Sequence, residues 1–341
     1  MRRSGKIAPM IEQSGAGAPD IDSAVAALRA GELVAFPTET VYGLGADARN
    51  PRALAKVFAL KGRPTDHPLI LHLASARQLG DWVATVPPVV ERLAAHFWPG
   101  PLTLVLPRAP SVPLELTGGQ QSVAVRVPRH PLAQALLQAF GSGIAAPSAN
   151  RYGRVSPTSA AHVREDFPTD LLVLEGDDCE VGVESTILSL LEDPPRLLRP
   201  GSIGIAELER VIGPIASGAG HDAPRVPGSV AQHYAPHTPV QLVSRAELPA
   251  VIESHNARGE AVAVLARAVV DPLRQVVCGA SPAQVKYWRE APETAAAYAH
   301  DLYANLRFLD KQGASRILIE HVPESAEWDA IRDRLSRAAA R

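Results

Sequence analysis

The segment from residue 33 to residue 64 joins a strand, a polar loop and a helix, and it constrains the fold more than any other stretch. Residues 33–36 are apolar and are followed by a proline, which is typical of a short buried strand. Asn50 and Pro51 predict a helix start, because Asn caps helices well and Pro suits the first helical position. Apolar residues then recur at helical spacing until Gly62. Since strand and helix alternate here, the segment favours an α/β fold.

The end of this helix is rich in cations. Five cations and no acid lie between Asp47 and Asp66: Arg49, Arg52, Lys56, Lys61 and Arg63. Only five of the 34 Lys and Arg residues are lysines, so a retained lysine is informative. Lys61 offers phosphate a compact point charge, and Arg63 offers a planar fork. We predict an anion site here; the alternative is a solvated helix end whose cations face the negative end of the helix dipole.

Composition bounds the class of protein. The length of 341 residues suggests about two domains, and 46% hydrophobic with 21% charged residues is ordinary for a globular chain. A net charge of −2 gives no overall case for nucleic-acid or membrane binding. Cys179 and Cys278 are the only cysteines, which excludes a disulfide framework and a cysteine-based zinc site. The N-terminus lacks the apolar region of a signal peptide, and no apolar run approaches the ~20 residues of a membrane span. We therefore expect a soluble, cytoplasmic protein.

Strands and helices alternate irregularly along the rest of the chain, which predicts an α/β fold with a twisted mixed sheet. The predicted organisation is a loose tail at 1–19, a main domain at 20–212, a Pro- and Gly-rich linker at 213–240 and a smaller, parallel α/β domain at 241–341. Further strands are predicted at 69–73, 102–106, 122–127, 143–147, 171–175, 185–191, 196–199, 240–243, 261–265 and 316–320. Further helices are predicted near 20–30, 75–82, 87–97, 131–140, 156–164, 205–212, 246–254, 281–308 and 326–338.

A long segment without acids indicates where an anion binds. Residues 116–164 contain no Asp or Glu, although acids make up 36 of the 341 residues. Together with the acid-free segment 48–65, this predicts a cleft lined with cations and hydroxyls and kept clear of carboxylates. Nucleotide phosphates, carboxylates or an RNA backbone would fit such a cleft. Ser156 is predicted to cap a helix through Arg164, whose first N–H groups suit a phosphate. A chance gap in the acids is the alternative.

Several familiar motifs do not fit. The G-x-G-x-x-A pattern at 43–48 lies too far from the preceding strand for a dinucleotide fingerprint, and the chain has no P-loop motif. His233 and His237 have metal-ligand spacing, but neighbouring prolines deny them a helix. The acids at 177–178 suit a metal or, more often, a solvated turn. No Ser or Cys lies in the context of an activated nucleophile. Cations and donors without a nucleophile suit nucleotidyl transfer, which depends on orientation and charge stabilisation.

Seven short motifs, taken in order, resemble the YrdC-type domain of threonylcarbamoyl-AMP synthases. They are Pro37–Leu44, Lys61–Pro64, Trp98–Thr103, Val125–Pro128, Ala146–Asn150, Gly182–Thr186 and Leu198–Gly201. With His233-Tyr234-Ala235-Pro236 in the linker, the chain resembles the long, two-domain form of that family, whose smaller C-terminal domain is a Rossmann-like α/β domain. The match spans about residues 20–240, and the last hundred residues resemble the accessory domain by position rather than by motif.

The resemblance implies a reaction. L-threonine and bicarbonate, as CO2, give a carbamate that attacks the α-phosphorus of ATP, and the products are threonylcarbamoyl-AMP and pyrophosphate. It also implies Mg²⁺ on the ATP phosphates, no tightly bound prosthetic group and no membrane partner; no metal-binding protein side chain is identified. A separate transferase then moves the threonylcarbamoyl group to tRNA, and a direct contact with tRNA is a further expectation.

The resemblance assigns residues to roles as well. The catalytic residues are Lys61 and Arg63. The ATP site comprises Lys61, Arg63, Thr65, Ser122, Ser148, Asn150, Ser156, Arg199 and Tyr234, with Tyr234 on a lid. The L-threonine site comprises Thr38, His72, Arg126, the backbone at Ala146, and Ser185, with Arg126 on the carboxylate.

Two other functions stay open from the residues. A non-catalytic RNA-binding module would use the same basic concave surface. A carbamoyl-handling domain of metallocentre maturation shares the fold family, but the zinc-finger and acylphosphatase-like segments expected there are missing. The linker departs from the family pattern, since residues 228–232 are uncharged where family members often carry lysines. The sequence therefore gives no support for electrostatic help from the linker to pyrophosphate or RNA.

Overall fold

The computed structural model describes residues 20–167, 171–218, 223–228, 233–267 and 285–340. The predicted tail at 1–19 lies outside the described residues, as does the centre of the linker at 229–232. Within the described ranges the chain forms two separate sheets. In the same ranges, every helix is too short or too polar to cross a membrane.

The first sheet is mixed. Its strands are β1 Val34–Phe36, β2 Gly43–Asp47, β3 Ile70–His72, β4 Leu102–Pro107, β5 Ser122–Arg126, β6 Ile144–Ala145, β7 Leu172–Val173, β8 Thr186–Ser189 and β9 Arg196–Arg199. Among the described residues these nine strands lie in the order β7-β1-β2-β6-β3-β5-β4-β8-β9. The pairs β1–β7, β3–β5 and β4–β8 are parallel and the other neighbours are antiparallel. The predicted mixed α/β fold is confirmed.

Within the described ranges this part contains seven α-helices. They are α1 Ile21–Arg29, α2 Pro51–Lys61, α3 Pro88–Phe97, α4 Leu114–Thr117, α5 Pro131–Phe140, α6 Ala160–Asp166 and α7 Ile205–Ile212. Asp20 caps α1 by accepting the Ser23 N–H at 2.8 Å. Asn50 caps α2 by accepting two backbone N–H groups, and Gly62 ends α2 in the left-handed region with φ 66°.

β2 is a strand that the sequence did not predict. Its glycines favour a loop, yet the sheet needs them for a different reason. A Cβ on Gly45 would lie 2.9 Å from the ring of Phe36 and 3.0 Å from Ile144. The side chains of Phe36 and Ile144, from the strands that pair with β2 on either side, come so close to the β2 backbone that only glycine fits at position 45.

α6 begins later than predicted. Ser159 caps this helix by accepting the His162 N–H at 3.2 Å. Ser156 is fully buried and donates its hydroxyl to Glu184 at 2.6 Å instead. The predicted helix cap at Ser156 is therefore wrong, because a distant acid takes up its hydroxyl and the helix begins at Ala160.

The second sheet belongs to the C-terminal part. Its strands are β10 Val240–Val243, β11 Val262–Arg267, β12 Val285–Ala291 and β13 Arg316–Glu320, and its helices are α8 Leu248–Ala257, α9 Ala295–Asp310 and α10 Asp329–Ala339. In the described part of the chain these strands are all parallel, in the order β10-β13-β11-β12. The prediction of a smaller, parallel α/β domain is confirmed.

The predicted helix at 281–308 is wrong in its first half, because residues 285–291 form β12. Residues 281–284 lie outside the described ranges. Tyr287 and Trp288 prefer extended backbone. β12 is an edge strand whose side chains are mostly exposed, so it lacks the alternation of apolar and polar residues that identifies a half-buried strand.

The two parts pack on each other through α9. Tyr303 of α9 joins Val41 and Val183 of the first part in one hydrophobic cluster. Arg307, also on α9, lies 2.6 Å from Asp166 at the end of α6. α9 is therefore held against the loop after β1 and the segment before β8, which are the segments that build the candidate site.

Candidate functional site

A cavity lies where the loop after β1, the strands β3 and β5, the segment after β6, the start of β8 and the end of β9 meet, and the linker covers it. It brings together many of the predicted site residues, which are Thr38, Arg63, His72, Arg126, Ala146, Ser148, Ser185, Arg199 and Tyr234. These residues come from segments far apart in sequence. The fold therefore places some residues of both predicted sites, for phosphate and for threonine, around one shared space.

Other predicted residues do not line the cavity. Lys61, Asn150 and Ser156 are buried. Lys61 donates to the Ser148 carbonyl and Ser156 to Glu184, both on the cavity wall, and the Asn150 carbonyl accepts from Lys61. Ser122 is buried at the opposite end of β5 from Arg126, paired with a residue of β4, and Thr65 is exposed. The cavity wall thus does not include Ser122 or Thr65.

Thr38 organises the loop that follows β1. Its hydroxyl donates to the Val41 carbonyl at 2.6 Å and accepts the N–H groups of Thr40 and Val41, each at 3.2 Å. A Thr side chain that bonds to nearby backbone in this way fixes a turn. The hydroxyls of Thr38 and Thr40 lie 2.9 Å apart, and both residues are buried. The loop therefore presents two fixed hydroxyls to the cavity.

Arg126 extends from the end of β5 into an ion pair with Glu39. Its Nη2 lies 2.8 Å from Glu39 Oε1, while Nη1 donates to the Thr40 hydroxyl at 2.9 Å and Nε to the Gly100 carbonyl at 3.3 Å. Burial would raise the pKa of Glu39, but the Arg126 charge and hydrogen bond bring that pKa below its usual value. Glu39 is therefore ionised, and the charge of Arg126 is already compensated by the fold.

The predicted absence of carboxylates from the cavity is wrong. Glu184 lines the cavity, and Glu39 is paired with Arg126, which also lines it. Both acids come from outside the acid-free segments 48–65 and 116–164. A gap in the acids along the sequence does not show which acids the fold brings in from elsewhere.

His72 lies on β3 directly beside Arg126 on the parallel strand β5. The side chain is buried, and Nδ1 is 3.2 Å from the Ile70 carbonyl. Burial, and next the charge of Arg126, lowers the pKa of His72 to about 3. His72 is therefore neutral near pH 7 and adds no charge to the wall.

Lys61, Arg63 and Arg199 form a second group of buried cations, with exposures of 3%, 7% and 3%. Lys61 Nζ donates to the carbonyls of Ser148 and Asn150 at 2.6 and 2.5 Å. Arg63 Nη2 donates to a backbone carbonyl at 2.8 Å. In the described part of the chain, none of these three cations has an acid within ion-pair distance.

Burial sets the electrostatics of this group. It lowers the pKa of Lys61 well below its ordinary value, with the nearby Arg63 charge acting in the same direction, and it lowers the pKa of Arg63 to about 10. The pKa of Arg199 is lowered by burial too. A buried cation without a counter-charge is costly, and a phosphate would compensate it through charge-assisted hydrogen bonds. The alternative of a solvated helix end does not fit side chains this deeply buried.

Arg199 connects β9, the start of β8 and the linker. Its Nε and Nη2 donate to the Ser185 carbonyl at 3.0 and 2.9 Å, and Nη2 donates to the Ser185 hydroxyl at 3.1 Å. Its Nη1 donates to the carbonyl of Pro227 in the linker at 2.9 Å. The Ser185 hydroxyl is 2.7 Å from that of Thr103. Arg199 and Ser185 thus hold each other in place on the wall.

Tyr234 brings the linker onto the cavity. Its φ of 59° lies in the left-handed region, which residues other than glycine adopt infrequently. The ring is 1% exposed and stacks on Tyr303 with 5.7 Å between centroids. Its buried hydroxyl makes no hydrogen bond to any residue that the structure describes. His233 lies against the Tyr234 ring, 4.1 Å between centroids, and lines the cavity as well.

Three lining residues with polar side chains have no predicted role in the site: Thr40, Glu184 and His233. Each belongs to one of the family motifs in the sequence, and this membership could have indicated a role in the site. Which of the side chains in a motif face a cavity depends on the backbone path, and the sequence does not specify it.

The side chains considered as metal ligands in the sequence, His233, His237 and the acids at 177–178, lie apart in the structure. Within the described ranges, no group of three or more His, Cys, Asp or Glu residues could hold a metal ion. His233 lines the cavity, whereas the backbone N–H of His237 donates to Asp310 at 2.9 Å. The acids at 177–178 border a separate small cavity beside Arg129.

Family models, relatives of known function and a solved structure all match this chain over most of its length. A family model described as "Telomere recombination" (Sua5, YciO and YrdC) matches residues 26–201, and one described as "Threonylcarbamoyl-AMP synthase, C-terminal domain" matches residues 203–340. The chain is similar to the threonylcarbamoyl-AMP synthase of Pyrococcus abyssi, at 41% identity over 92% of each chain. It is similar to that of Bacillus subtilis, at 41% identity over 94% of this chain and 93% of the relative. A crystal structure of P. abyssi Sua5 complexed with L-threonine has a TM-score of 0.86 and 40% identity, and the match covers 94% of both chains.

Proposed function

This chain belongs to the Sua5–YciO–YrdC family of threonylcarbamoyl-AMP synthases, and on that premise we propose that it is a nucleotidyltransferase acting on L-threonine, bicarbonate and ATP. Its products are threonylcarbamoyl-AMP and pyrophosphate, for the modification of tRNA. One observation carries the proposal: a single cavity combines the buried cations Arg63 and Arg199, neither of them within ion-pair distance of an acid among the described residues, with a separate wall of fixed hydroxyls around Arg126.

The ATP phosphates bind to the uncompensated cations. Arg63 and Arg199 line the cavity and offer phosphate oxygens direct contacts, which are strong in a buried, low-dielectric setting. Lys61 lies next to the wall residue Ser148 and adds its positive charge from there. Lys61 also fixes the Ser148–Asn150 segment through its two carbonyl contacts. Thr65 and Ser122 lie off the cavity wall and have no part in this proposal.

L-threonine binds at the wall formed by Thr38, His72, Arg126, Ala146 and Ser185. Arg126 faces the threonine carboxylate, and the neutral His72 and the hydroxyls offer hydrogen bonds without repelling the ligand. The relative from P. abyssi, solved with L-threonine, supports threonine as the ligand.

The chemistry requires no covalent enzyme intermediate. The threonine nitrogen attacks CO2 and loses a proton to give the carbamate, and a carbamate oxygen then attacks the α-phosphorus of ATP. The bond between that phosphorus and the bridging oxygen breaks, and pyrophosphate leaves with the electron pair. Lys61 and Arg63 stabilise the charge that develops on the phosphates, and the cavity aligns the two reactants. Tyr234, on the linker, lies over the nucleotide and keeps water from the adenylate.

Other components belong to this proposal. Mg²⁺ would accompany ATP as part of the substrate, and its two positive charges would reduce the repulsion between the triphosphate and the carbamate. The labile product passes to a separate transferase that acts on tRNA, with direct contact between this chain and tRNA as a further expectation. The reaction takes place in the cytoplasm, where both ATP and tRNA occur.

The RNA-binding alternative has no observation in its favour. Lys61, Arg63 and Arg199 are 93% or more buried, and a polyanionic RNA backbone needs exposed cations to release its counterions. The cations of this site suit a small anion that enters a cavity.

Mass spectrometry of the product tests the proposed function. The purified full chain, with Mg²⁺, ATP, L-threonine and bicarbonate, is expected to give threonylcarbamoyl-AMP, and pyrophosphate release is expected to require threonine and bicarbonate together. ATP turnover that is indifferent to threonine contradicts the proposal.

A further inference from the structure

Glu184 is an acid in an unfavourable place. It is 7% exposed and lines the cavity in which the proposed function, on which this inference rests, puts a triphosphate. A free carboxylate here would repel phosphate or would pair with one of the cations that phosphate needs. The charge of the Glu184 carboxylate must therefore be compensated by other residues if a phosphate is to bind nearby.

The Glu184 carboxylate is fully engaged, mainly by the C-terminal part. Oε1 accepts the Ser156 hydroxyl at 2.6 Å. Oε2 accepts the Tyr303 hydroxyl from α9 at 2.8 Å and Arg334 Nε from α10 at 2.8 Å. Two of its three donors thus belong to the C-terminal domain, although Glu184 itself belongs to the catalytic domain.

Arg334 is suited to hold a charge in this position. It is 1% exposed, and its Nη1 donates to the carbonyl of Pro200, the residue after Arg199, at 3.0 Å. Its guanidinium also lies 5.2 Å from the centre of the Tyr234 ring. Arg334 thus contacts the Glu184 segment, the Arg199 segment and the lid residue from one side.

Arg199 is the competing partner for Glu184. Burial would raise the pKa of Glu184, but the charge of Arg334, and next that of Arg199, lowers it to about 2. Arg199 is already close enough to act on this carboxylate, although its hydrogen bonds go to Ser185 and Pro227. Without Arg334, Arg199 is the cation whose charge acts next most strongly on an ionised Glu184.

We propose that Arg334 of the C-terminal domain is a positioning residue for the reaction: it sequesters the Glu184 carboxylate, and so leaves Arg199 free to bind phosphate. Tyr303 assists by donating a second hydrogen bond to the same oxygen. This gives the accessory domain a role in the electrostatics of the ATP site, although no residue of that domain need touch ATP.

ATP binding by the full chain tests this role. Arg334→Met is expected to raise the ATP Kd about tenfold, the scale of one lost charge-assisted contact, and to change the threonine Kd less than about threefold. Arg332→Met is the matched control, because Arg332 lies on the same helix and bonds to Pro323 and Ser325 of its own domain. This control is expected to leave both Kd values unchanged.

A second variant separates charge from packing. If Arg334 acts by sequestering Glu184, then Glu184→Gln removes the need for it, and Glu184→Gln/Arg334→Met is expected to bind ATP within about threefold of Glu184→Gln alone. A double variant that binds ATP about tenfold more weakly than Glu184→Gln overturns the proposal, as does an Arg334→Met variant that weakens ATP and threonine equally. If Arg334→Met fails to fold by circular dichroism, the comparison of Glu184→Gln with the double variant decides alone.

The two proposals fail in different ways. A wild-type chain that binds ATP but makes no threonylcarbamoyl-AMP contradicts the proposed function. The ATP Kd values of the variants then still test the role of Arg334. A wild-type chain that makes the product, with an ATP Kd unaffected by Arg334→Met, overturns only the role of Arg334.

Discussion

Two groups of buried cations in this protein differ in whether a carboxylate of the fold compensates their charge. Arg126 and Arg334 each lie 2.8 Å from a buried carboxylate, whereas Lys61, Arg63 and Arg199 bond, among the described residues, only to backbone carbonyls and a hydroxyl. A buried charge is costly in either group. The first group recovers that cost within the fold and shapes the walls, and the second leaves a net positive charge that an anionic ligand must offset.

The largest expected effect comes from breaking a compensated pair. Arg126→Ala leaves the Glu39 carboxylate buried without its cation, and we expect a loss of about 3–5 kcal/mol in the free energy of unfolding. Urea denaturation measures it. Adding Glu39→Gln is expected to restore most of the stability, because the orphaned charge is then gone.

The same variants sharpen the functional side of the comparison. We expect Arg126→Ala to raise the threonine KM at least about tenfold more than the ATP KM, and Glu39→Gln not to restore the threonine KM. A larger effect on the ATP KM would reassign Arg126 to the nucleotide.

Removing an uncompensated cation should act mainly on catalysis, because losing the two contacts of Lys61 to the carbonyls of Ser148 and Asn150 is offset by removing a costly buried charge. Lys61→Ala is expected to lower kcat/KM by about 10²–10³-fold, as expected for the loss of a preorganised charge at the reacting phosphates. Pyrophosphate release measures the rate, and circular dichroism checks that the fold is intact. Lys56→Ala is the control, since Lys56 is exposed on the same helix and pairs with Glu32. An unfolded Lys61→Ala variant would show that this lysine is structural.

Acid should weaken the fold through histidines that burial keeps neutral. The pKa of His72 is about 3 in the folded chain against 6.5 for the free side chain, so between these values the unfolded chain binds a proton that the folded chain does not. Stability therefore falls as pH drops below 6.5, by about 2 kcal/mol at pH 5 for this group. Urea denaturation at pH 7 and pH 5 should show that His72→Gln reduces this loss. His96→Gln, at an exposed position, is the control; equal pH dependence in both variants contradicts the assignment.

The smallest effect is expected at the lid. The Tyr234 hydroxyl is buried without a hydrogen-bond partner among the described residues, so Tyr234→Phe should change the free energy of unfolding by less than about 0.5 kcal/mol. If the hydroxyl meets the nucleotide, the ATP Kd should rise about threefold to tenfold. A stability loss above about 1 kcal/mol would instead show that the hydroxyl already has a structural partner.

Local signals in the sequence predicted the individual elements well where a cap or a breaker marks them. Asn50 and Gly62 bound α2 as expected, because capping depends on atoms a few residues apart. β2 and β12 were missed since their identity depends on partners: Gly43 and Gly45 lie under the Phe36 ring, and β12 is an exposed edge.

The candidate site shows the same division. Its residue types and motifs were available from the sequence, including the cations at the end of α2, whose burial the sequence left open. The sequence did not show that Glu184 is held by Arg334, 150 residues away.

The sequence by itself determined which chemistry is on offer, because cations, hydroxyls and their order along the chain are local facts, and it determined the α/β class through period and caps. Only the tertiary structure decided which charges are neutralised. Coulomb energies depend on distance and burial, and two residues far apart in the chain acquire both only when the strands and helices that carry them have packed.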